Sequence, residues 1–195
     1  MADTCNKLSK NVVSRACAVS GGIKNRVWVF HTSDFTGAKT YATNGSLSGF
    51  TLVADAEGIK ATGRARKGNT TNKLSKNEEG AVNVEQAVAL EFRYNTEAEK
   101  NAIMEFLRAD NKTVFVETNA GTIRQHFAEF GDDTFEGEDG SGTAIGDASN
   151  ILKVTLKGNE QDLPIFFEAP VGTSGLTQLA ASKAYLDALC VADVI

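Results

Sequence analysis

The chain has 195 residues, of which 42% are hydrophobic and 23% charged, a balance typical of a folded globular protein rather than a disordered one. Its formal net charge of −5 argues against a protein that grips nucleic acid, because such binding needs a basic face. Without a long apolar run or a secretory signal, and with only three widely spaced cysteines, we expect no membrane span, no disulfide framework and a reducing compartment.

The first part of the chain predicts an arm followed by strands. Residues 1–22 mix small and polar residues and predict an N-terminal arm or a short helix. Residues 26–30 predict a strand with both faces covered, because apolar side chains stand at both parities. Residues 47–54 and 59–66 predict a hairpin, whereas residues 67–80 carry almost nothing that could be buried and predict a long polar loop.

The longest strand is predicted over residues 81–94. Apolar and polar residues alternate along it, which is the pattern of a strand with one buried face. At about 3.3 Å per residue it would extend on the order of 45 Å, so we expect it to belong to a large sheet. The parity predicted to be buried holds Gln86 among apolar residues, which are Val82, Val84, Val88, Leu90, Phe92 and Tyr94.

A helix is predicted immediately after this strand. Thr96 and Glu99 have the spacing of a capping box, and the apolar residues between 97 and 109 recur at helical spacing, so one face should pack on the sheet. Residues 113–118 and 122–130 then predict two strands joined by a short turn that contains glycine.

The last third of the chain predicts a loop, a hairpin and a helix. Residues 131–149 are rich in glycine and acids and predict a loop, and residues 152–156 and 163–167 predict a closing hairpin. Pro164 suggests that the returning strand is an edge or bulged strand. A helical stripe interrupted by Lys183 follows, and the apolar residues 191–195 are expected to dock on protein.

These elements predict a mainly β fold of the α+β class. We expect a β-sandwich or a partly closed barrel with one helix packed on the sheet and a C-terminal helix. The predicted organisation is an arm over residues 1–22, a β domain over 23–170 and a helical segment over 171–195.

Catalytic motifs are not found in the chain. His31 and His126 are the only histidines, and neither has a second histidine or cysteine at ligand spacing, so His126 is interpreted as a strand residue. The acidic stretch 132–139 lacks the alternation of a calcium loop at Phe135, which favours a loop facing solvent or a partner. We therefore predict no catalytic, cofactor or metal site, and a protein that is not an enzyme.

A basic stretch from Arg64 to Lys76 and an acidic stretch from Asp132 to Asp139 suggest self-association. A patch that complements a different patch on the same molecule gives head-to-tail contacts, which close into rings or extend as filaments. The alternative is that the stretches are unrelated solvated loops. The interface candidates are Arg64, Arg66, Lys67, Lys73 and Lys76 on the basic side and Asp132, Asp133, Glu136, Glu138 and Asp139 on the acidic side.

The order of elements resembles the tail tube proteins of bacteriophages and the related tube proteins of contractile injection machines. The resemblance covers roughly residues 23–170 and rests on long strands, a capped helix after the longest strand and a polar loop between early strands. It implies two packed sheets, with subunits side by side so that the strands at 81–94 and 113–130 form a wall around a lumen that conducts DNA. It also implies that the loop at 67–80 reaches the adjacent ring.

The same resemblance implies a place in the virion after assembly in the host cytoplasm. The expected partners are further copies of the chain, other virion proteins and DNA in transient passage, with no cofactor and no membrane. A lumen with net negative charge would keep DNA from sticking. The lumen-facing candidates are therefore Glu85, Glu91, Glu117 and Glu129, although each could equally be an ordinary solvent-facing strand residue.

Two alternatives stay open at this point. One is a capsid decoration protein or a head-to-tail connector ring, which would have the same composition. The other is a β-sandwich module that binds a small ligand or carbohydrate, with Trp28, Tyr41 and Tyr94 as stacking residues.

Overall fold

The computed structural model describes residues 22–35, 37–62, 68–76, 81–140, 150–172 and 176–191. These ranges hold eleven strands and two α-helices, namely β1 (Ile23–His31), β2 (Thr40–Tyr41), β3 (Leu47–Gly49), β4 (Ile59–Thr62), β5 (Asn69–Lys76), β6 (Val82–Arg93), α1 (Glu97–Arg108), β7 (Lys112–Thr118), β8 (Ile123–His126), β9 (Thr134–Gly140), β10 (Ile151–Glu160), β11 (Ile165–Phe167) and α2 (Gln178–Ala188).

The strands form two sheets. The large sheet has seven strands in the order β2-β3-β11-β8-β7-β1-β4, and the small sheet has four in the order β5-β6-β10-β9. Apolar residues from both sheets and from α1 form one core between them, and a second core lies between the large sheet and α2. The predicted mainly β, α+β fold is confirmed, and neither sheet closes on itself in the described residues, which makes the fold a sandwich rather than a barrel.

Strand β1 contributes side chains to both cores, as the apolar residues at both parities of its sequence predict. Val27 and Val29 lie in the core between the sheets, whereas Trp28 and Phe30 lie in the second core. The Trp28 indole Nε1 donates a hydrogen bond of 2.8 Å to the Asp187 carboxylate of α2, so the helix is tied to the strand that it covers.

The long strand β6 spans 12 residues, and its predicted buried parity is confirmed from Val84 to Phe92. The polar member of that parity, Gln86, is also buried. Its Oε1 accepts from the Phe127 backbone N–H at 3.0 Å, and its Nε2 donates to the Asp162 carbonyl at 2.9 Å. The glutamine therefore links β6 to the segments that follow β8 and β10.

Helix α1 begins at the predicted capping box. The Glu99 N–H donates to Thr96 Oγ1 at 3.2 Å, and the Thr96 N–H donates to Glu99 Oε2 at 3.1 Å. The backbone N–H of Asn95, which also donates to this carboxylate, is the main reason that the pKa of Glu99 is lowered. Phe106 and Leu107 carry the buried face of α1 into the core between the sheets.

A buried ion pair joins the start of β7 to the segment between β8 and β9. Lys112 Nζ lies 2.9 Å from Asp132 Oδ2, and the two side chains are only 4% and 3% exposed. The Lys112 backbone N–H donates to the same carboxylate at 2.6 Å, while its ammonium also donates to the Ala109 carbonyl just after α1. One lysine thus satisfies a buried carboxylate and a carbonyl at a helix end.

The predicted hairpin of residues 47–54 and 59–66 is wrong. β3 lies beside β2 near one end of the large sheet, and β4 is the last strand at the other end. The chain between them crosses the sheet, and Phe50 on this crossing packs in the second core. Apolar content predicted a strand at both places, but β3 ends at Gly49 instead of continuing to residue 54, and the described part of the second strand is β4. It did not reveal that the connection spans a sheet instead of turning.

Two predicted loops contain strands. Residues 69–76 form β5 within the predicted loop 67–80, and residues 134–140 form β9 within the predicted loop 131–149. Both strands lie at the ends of the small sheet, where backbone pairing with one neighbour suffices and few side chains need burial.

Three predictions on the later strands need correction. β8 stops at His126 because Phe127 takes a positive φ of 56°, so the strand predicted over 122–130 is shorter. β10 and β11 belong to different sheets and form no hairpin. Pro164 precedes β11, an interior strand, and therefore removes no donor from its ladder. The β7–β8 hairpin and the C-terminal helix are confirmed.

Candidate assembly surface

The register of the small sheet divides its residues between two faces. The inner face, toward the large sheet, holds the buried apolar residues of β6 and β10. The outer face, defined as the one pointing away from the large sheet, holds the alternate residues. In the described residues its charged members are Lys73, Glu85, Glu91, Arg93, Glu136, Glu138, Lys153 and Lys157.

Charges of both signs pair across the outer face. Lys73 Nζ lies 3.1 Å from Glu85 Oε1, and Lys157 Nζ lies 2.5 Å from Glu136 Oε1. A looser contact of 3.9 Å joins Lys153 to Glu138. The four acids and four bases of this face balance, so it offers no run of like charge to a passing polyanion.

One end of the small sheet is basic. β5 is its terminal strand in the described ranges and carries Lys73 and Lys76, with no acidic residue between Asn69 and Lys76. Leu74, the only large apolar residue of this strand, has the inner-face parity, yet it is 60% exposed. The strand therefore presents backbone groups, two cations and an uncovered leucine at one edge.

The opposite end of the small sheet is acidic. β9 is terminal there, all seven of its residues are exposed, and it carries Glu136, Glu138 and Asp139 without a cation. Phe135 has the inner-face parity and is 47% exposed. The two terminal strands of one sheet thus carry opposite charge and one exposed apolar side chain each.

Sequence reasoning missed Leu74 and Phe135. Each is the single large apolar residue of a polar strand; the loop prediction gave Leu74 no role and gave Phe135 only that of interrupting a calcium-loop pattern. Once the stretches are strands, an exposed apolar side chain on the inner face of a terminal strand marks a surface that a neighbour could cover.

The acidic interface candidates separate into two groups. Glu136 and Glu138 lie on the outer face of β9, whereas Asp132 is buried in an ion pair with Lys112. Asp133 accepts from the Asn159 backbone N–H at 3.2 Å. Asp139 accepts from the Tyr94 hydroxyl at 2.9 Å, and this bond raises the pKa of Tyr94.

The basic candidates are only partly described. Lys73 and Lys76 stand on β5, while Arg64, Arg66 and Lys67 lie outside the described residues, as do the predicted arm up to residue 21 and residues 141–149.

The four lumen candidates do not share one surface. Glu85 and Glu91 lie on the outer face of β6, although Glu91 is only 8% exposed. Glu117 is in the large sheet, 2% exposed, and pairs with Lys183 at 2.8 Å and Lys24 at 3.4 Å. Glu129 follows β8 and donates its backbone N–H to Glu160. A negative lumen built from all four is therefore wrong.

The described residues also bear on metal binding, membrane-spanning helices and aromatic stacking. No group of three or more histidine, cysteine or acidic side chains is arranged to hold a metal there, and no helix in these ranges has the length and apolar character to cross a bilayer. Trp28 is fully buried, which removes it as a stacking residue, while Tyr41 is 54% exposed. His126 is the last residue of β8, which confirms its interpretation as a strand residue, and its side chain is buried.

Comparison of the chain with protein-family models, with curated proteins and with solved structures gives no match.

Proposed function

We propose that the protein is a structural subunit of a virion, without enzymatic activity, and that its copies join into a ring or tube of the phage tail tube kind around a lumen that conducts DNA. The observation that carries this proposal is the pair of oppositely charged terminal strands, β5 and β9, in one sheet. The β5 edge of one copy binds the β9 edge of the next.

The edges select each other by charge. Proteins commonly protect open sheet edges with charged side chains. Two β5 edges, or two β9 edges, of different copies repel each other because they carry charges of the same sign. A basic β5 edge and an acidic β9 edge attract instead, and each copy has one of each. Such a heterologous contact leaves two unsatisfied ends in any open chain of copies, so it propagates until a ring closes.

Strand directions are compatible with a ring. Three antiparallel pairings lead from β5 to β9, so these strands run in opposite directions within one copy. Copies related by rotation about a ring axis keep the same polarity. The junction between β5 of one copy and β9 of the next is therefore antiparallel, like every pairing inside the small sheet.

One register satisfies both the apolar and the charged residues. With Leu74 opposite Phe135 on the inner face, Lys73 stands opposite Glu136 on the outer face and Lys76 stands opposite Asp133. This register also pairs residues 69–75 with residues 140–134, so the two strands overlap over the full length of β9. The leucine and the phenylalanine then cover each other across the junction.

The outer face becomes the lumen wall in this arrangement. The large sheet and α2 cover the other side of the small sheet, and these wider layers fit on the outside, where the circumference is greater. DNA passing through meets alternating charges rather than a basic stripe, which avoids the phosphate contacts that would hold it.

Charge exchange between the edges tests the proposal. Reversing β9 alone (Glu136→Lys with Glu138→Lys) or β5 alone (Lys73→Glu with Lys76→Glu) should abolish assembly in low salt, because both edges then carry the same sign. All four changes in one chain should restore rings or tubes in negative-stain images and large particles by light scattering.

The matched control reverses two cations on α1, Lys100→Glu with Arg108→Glu, and should leave assembly intact. A wild-type chain that stays monomeric at high concentration in low salt would contradict the proposal, as would a four-fold variant that stays monomeric. Single rings without stacking would instead favour the connector or decoration role.

A further inference from the structure

A small polar cavity lies between β8, β11 and the chain that joins β10 to β11. Its volume is about 220 Å³, which is room for about seven water molecules at ~30 Å³ each. Among its lining residues, Gln86, Gln125 and Glu160 are buried, whereas Tyr41 and Leu163 are about half exposed. The buried part of the lining is therefore polar, and the exposed part opens to solvent.

The amide of Gln125 is the unexplained group in this cavity. The residue is 1% exposed, and neither its Oε1 nor its Nε2 has a hydrogen-bond partner in the described residues. Gln125 lies directly opposite Ile165, so both side chains are on the same face of the large sheet, and both residues line the cavity. An unpaired buried donor and acceptor lower stability, and native proteins keep few of them.

The neighbouring amide of Gln86 shows how such a group is normally satisfied. Its Oε1 accepts from the Phe127 N–H at 3.0 Å, and its Nε2 donates to the Asp162 carbonyl at 2.9 Å. The same cavity is thus lined by one amide that the fold uses completely and by one whose donor and acceptor are left to a ligand.

A carboxylate and an ammonium line the same cavity. Glu160 accepts the N–H groups of Glu129 and Phe130 at 3.1 and 3.2 Å, and burial raises the pKa of Glu160 although these N–H groups oppose the change. Lys39 Nζ donates to the Ala128 carbonyl at 3.1 Å, which uses one of its three donors. Both charged groups therefore keep hydrogen-bonding capacity for a ligand.

We propose that this cavity binds a small zwitterionic amino acid that carries a primary carboxamide, as L-asparagine does. A primary carboxamide presents an N–H and a C=O side by side, which complements Oε1 and Nε2 of Gln125. The ammonium of the ligand matches the Glu160 carboxylate, and the carboxylate of the ligand matches the Lys39 ammonium. This site goes beyond the proposed assembly and does not depend on it.

Equilibrium dialysis of the whole chain against labelled L-asparagine tests the site. The wild-type chain should bind one equivalent. L-aspartate, which has the same shape, should bind at least ten-fold more weakly, because its carboxylate cannot donate to Gln125 Oε1. Equal binding of the two ligands would overturn the proposal. No binding of L-asparagine at millimolar concentration would also overturn it and would indicate that water alone satisfies the amide.

Gln125→Leu removes the unpaired polar atoms. It should leave the urea midpoint without ligand unchanged or higher, while the affinity for L-asparagine falls at least ten-fold. The control is Gln178→Leu, the same chemical change at the start of α2 and outside the cavity, which should keep wild-type affinity. Wild-type affinity in Gln125→Leu would overturn the proposal.

Lys39→Met is a second variant that leaves the buried amide in place. It should weaken binding of L-asparagine several-fold, because the carboxylate of the ligand loses its cation, and an unchanged affinity would overturn this placement of the ligand. Neither Gln125 nor Lys39 lies on β5 or β9, so failure of ligand binding and failure of assembly are measured separately.

Discussion

His126 lies at the end of β8 in surroundings that hold its imidazole neutral. It is 1% exposed, and neither ring nitrogen has a hydrogen-bond partner in the described residues. Burial, with a smaller effect from the Arg124 charge, lowers the pKa of His126 to about 3. The native state therefore resists protonation that the unfolded chain accepts near pH 6.5.

This difference predicts a loss of stability in acid. Between pH 6.5 and about 3 the unfolded chain binds more protons than the native chain, so the free energy of unfolding falls as the pH is lowered through that window. At pH 4.5 the loss from this group is roughly 3 kcal/mol. His126→Leu should remove that part of the pH dependence, as measured by urea unfolding at several pH values.

Val114→Ala is the matched control for His126. Val114 is the cross-strand neighbour of the histidine, and its truncation should lower stability without changing the slope against pH. Equal slopes for His126→Leu and the wild-type chain would contradict the assignment.

The attachment of α2 to β7 depends on a carboxylate that is buried and paired. Glu117 receives Lys183 from α2 and Lys24 from β1, and the two ammonium groups remain partly exposed. The lysine that interrupts the apolar stripe of α2 therefore has a partner in the sheet, and its position facing the sheet is explained.

Replacing Lys183 and replacing Glu117 should lower the free energy of unfolding by different amounts. Lys183→Met leaves a nearly buried carboxylate with one weaker partner and should cost on the order of 1–3 kcal/mol. Glu117→Gln should cost less, because both lysines can turn to water, and the double variant should recover part of the loss of Lys183→Met. Urea unfolding of the three variants measures this, and equal costs for the two single variants would contradict the explanation.

Local signals predicted elements well, whereas pairing between distant segments did not follow from them. The capping box at Thr96 and the alternation of β6 depend on residues within a few positions, so the sequence contains all that they need. β5 and β9 form because their backbones pair with β6 and β10, respectively. The sequence of a polar stretch does not indicate that such a pairing partner exists.

The candidate assembly surface was predicted only in part, because local charge follows from the sequence whereas contacts between distant segments do not. The opposite charges on Lys73 and Glu136 were recognised, and both prove exposed on terminal strands. The burial of Asp132 and Glu117 was missed because it depends on Lys112 and Lys183, whose approach is a matter of tertiary structure.

For the whole molecule, the proposed junction combines backbone pairing with opposite charges, and this predicts a dependence on salt. Attraction between exposed charges is screened over a distance of about 10 Å at 0.1 M salt, so association should weaken as NaCl is raised. Neutralising β9 with Glu136→Gln and Glu138→Gln should weaken association in low salt and flatten its salt dependence, as measured by sedimentation. Association that strengthens with salt in the wild-type chain would instead indicate a mainly apolar contact.

The strand count of the small sheet has a further consequence. A closed belt made from units with an odd number of alternating strands would meet itself in a parallel mismatch at every join, whereas an even number carries the alternation through each join unbroken. The described residues contribute four strands per copy to this sheet, so the proposed ring has no seam, whatever the number of copies. The diameter of the proposed ring would then be governed by how strongly each sheet bends, and we expect a substitution that alters this curvature to change the size of the ring while every join keeps its chemistry.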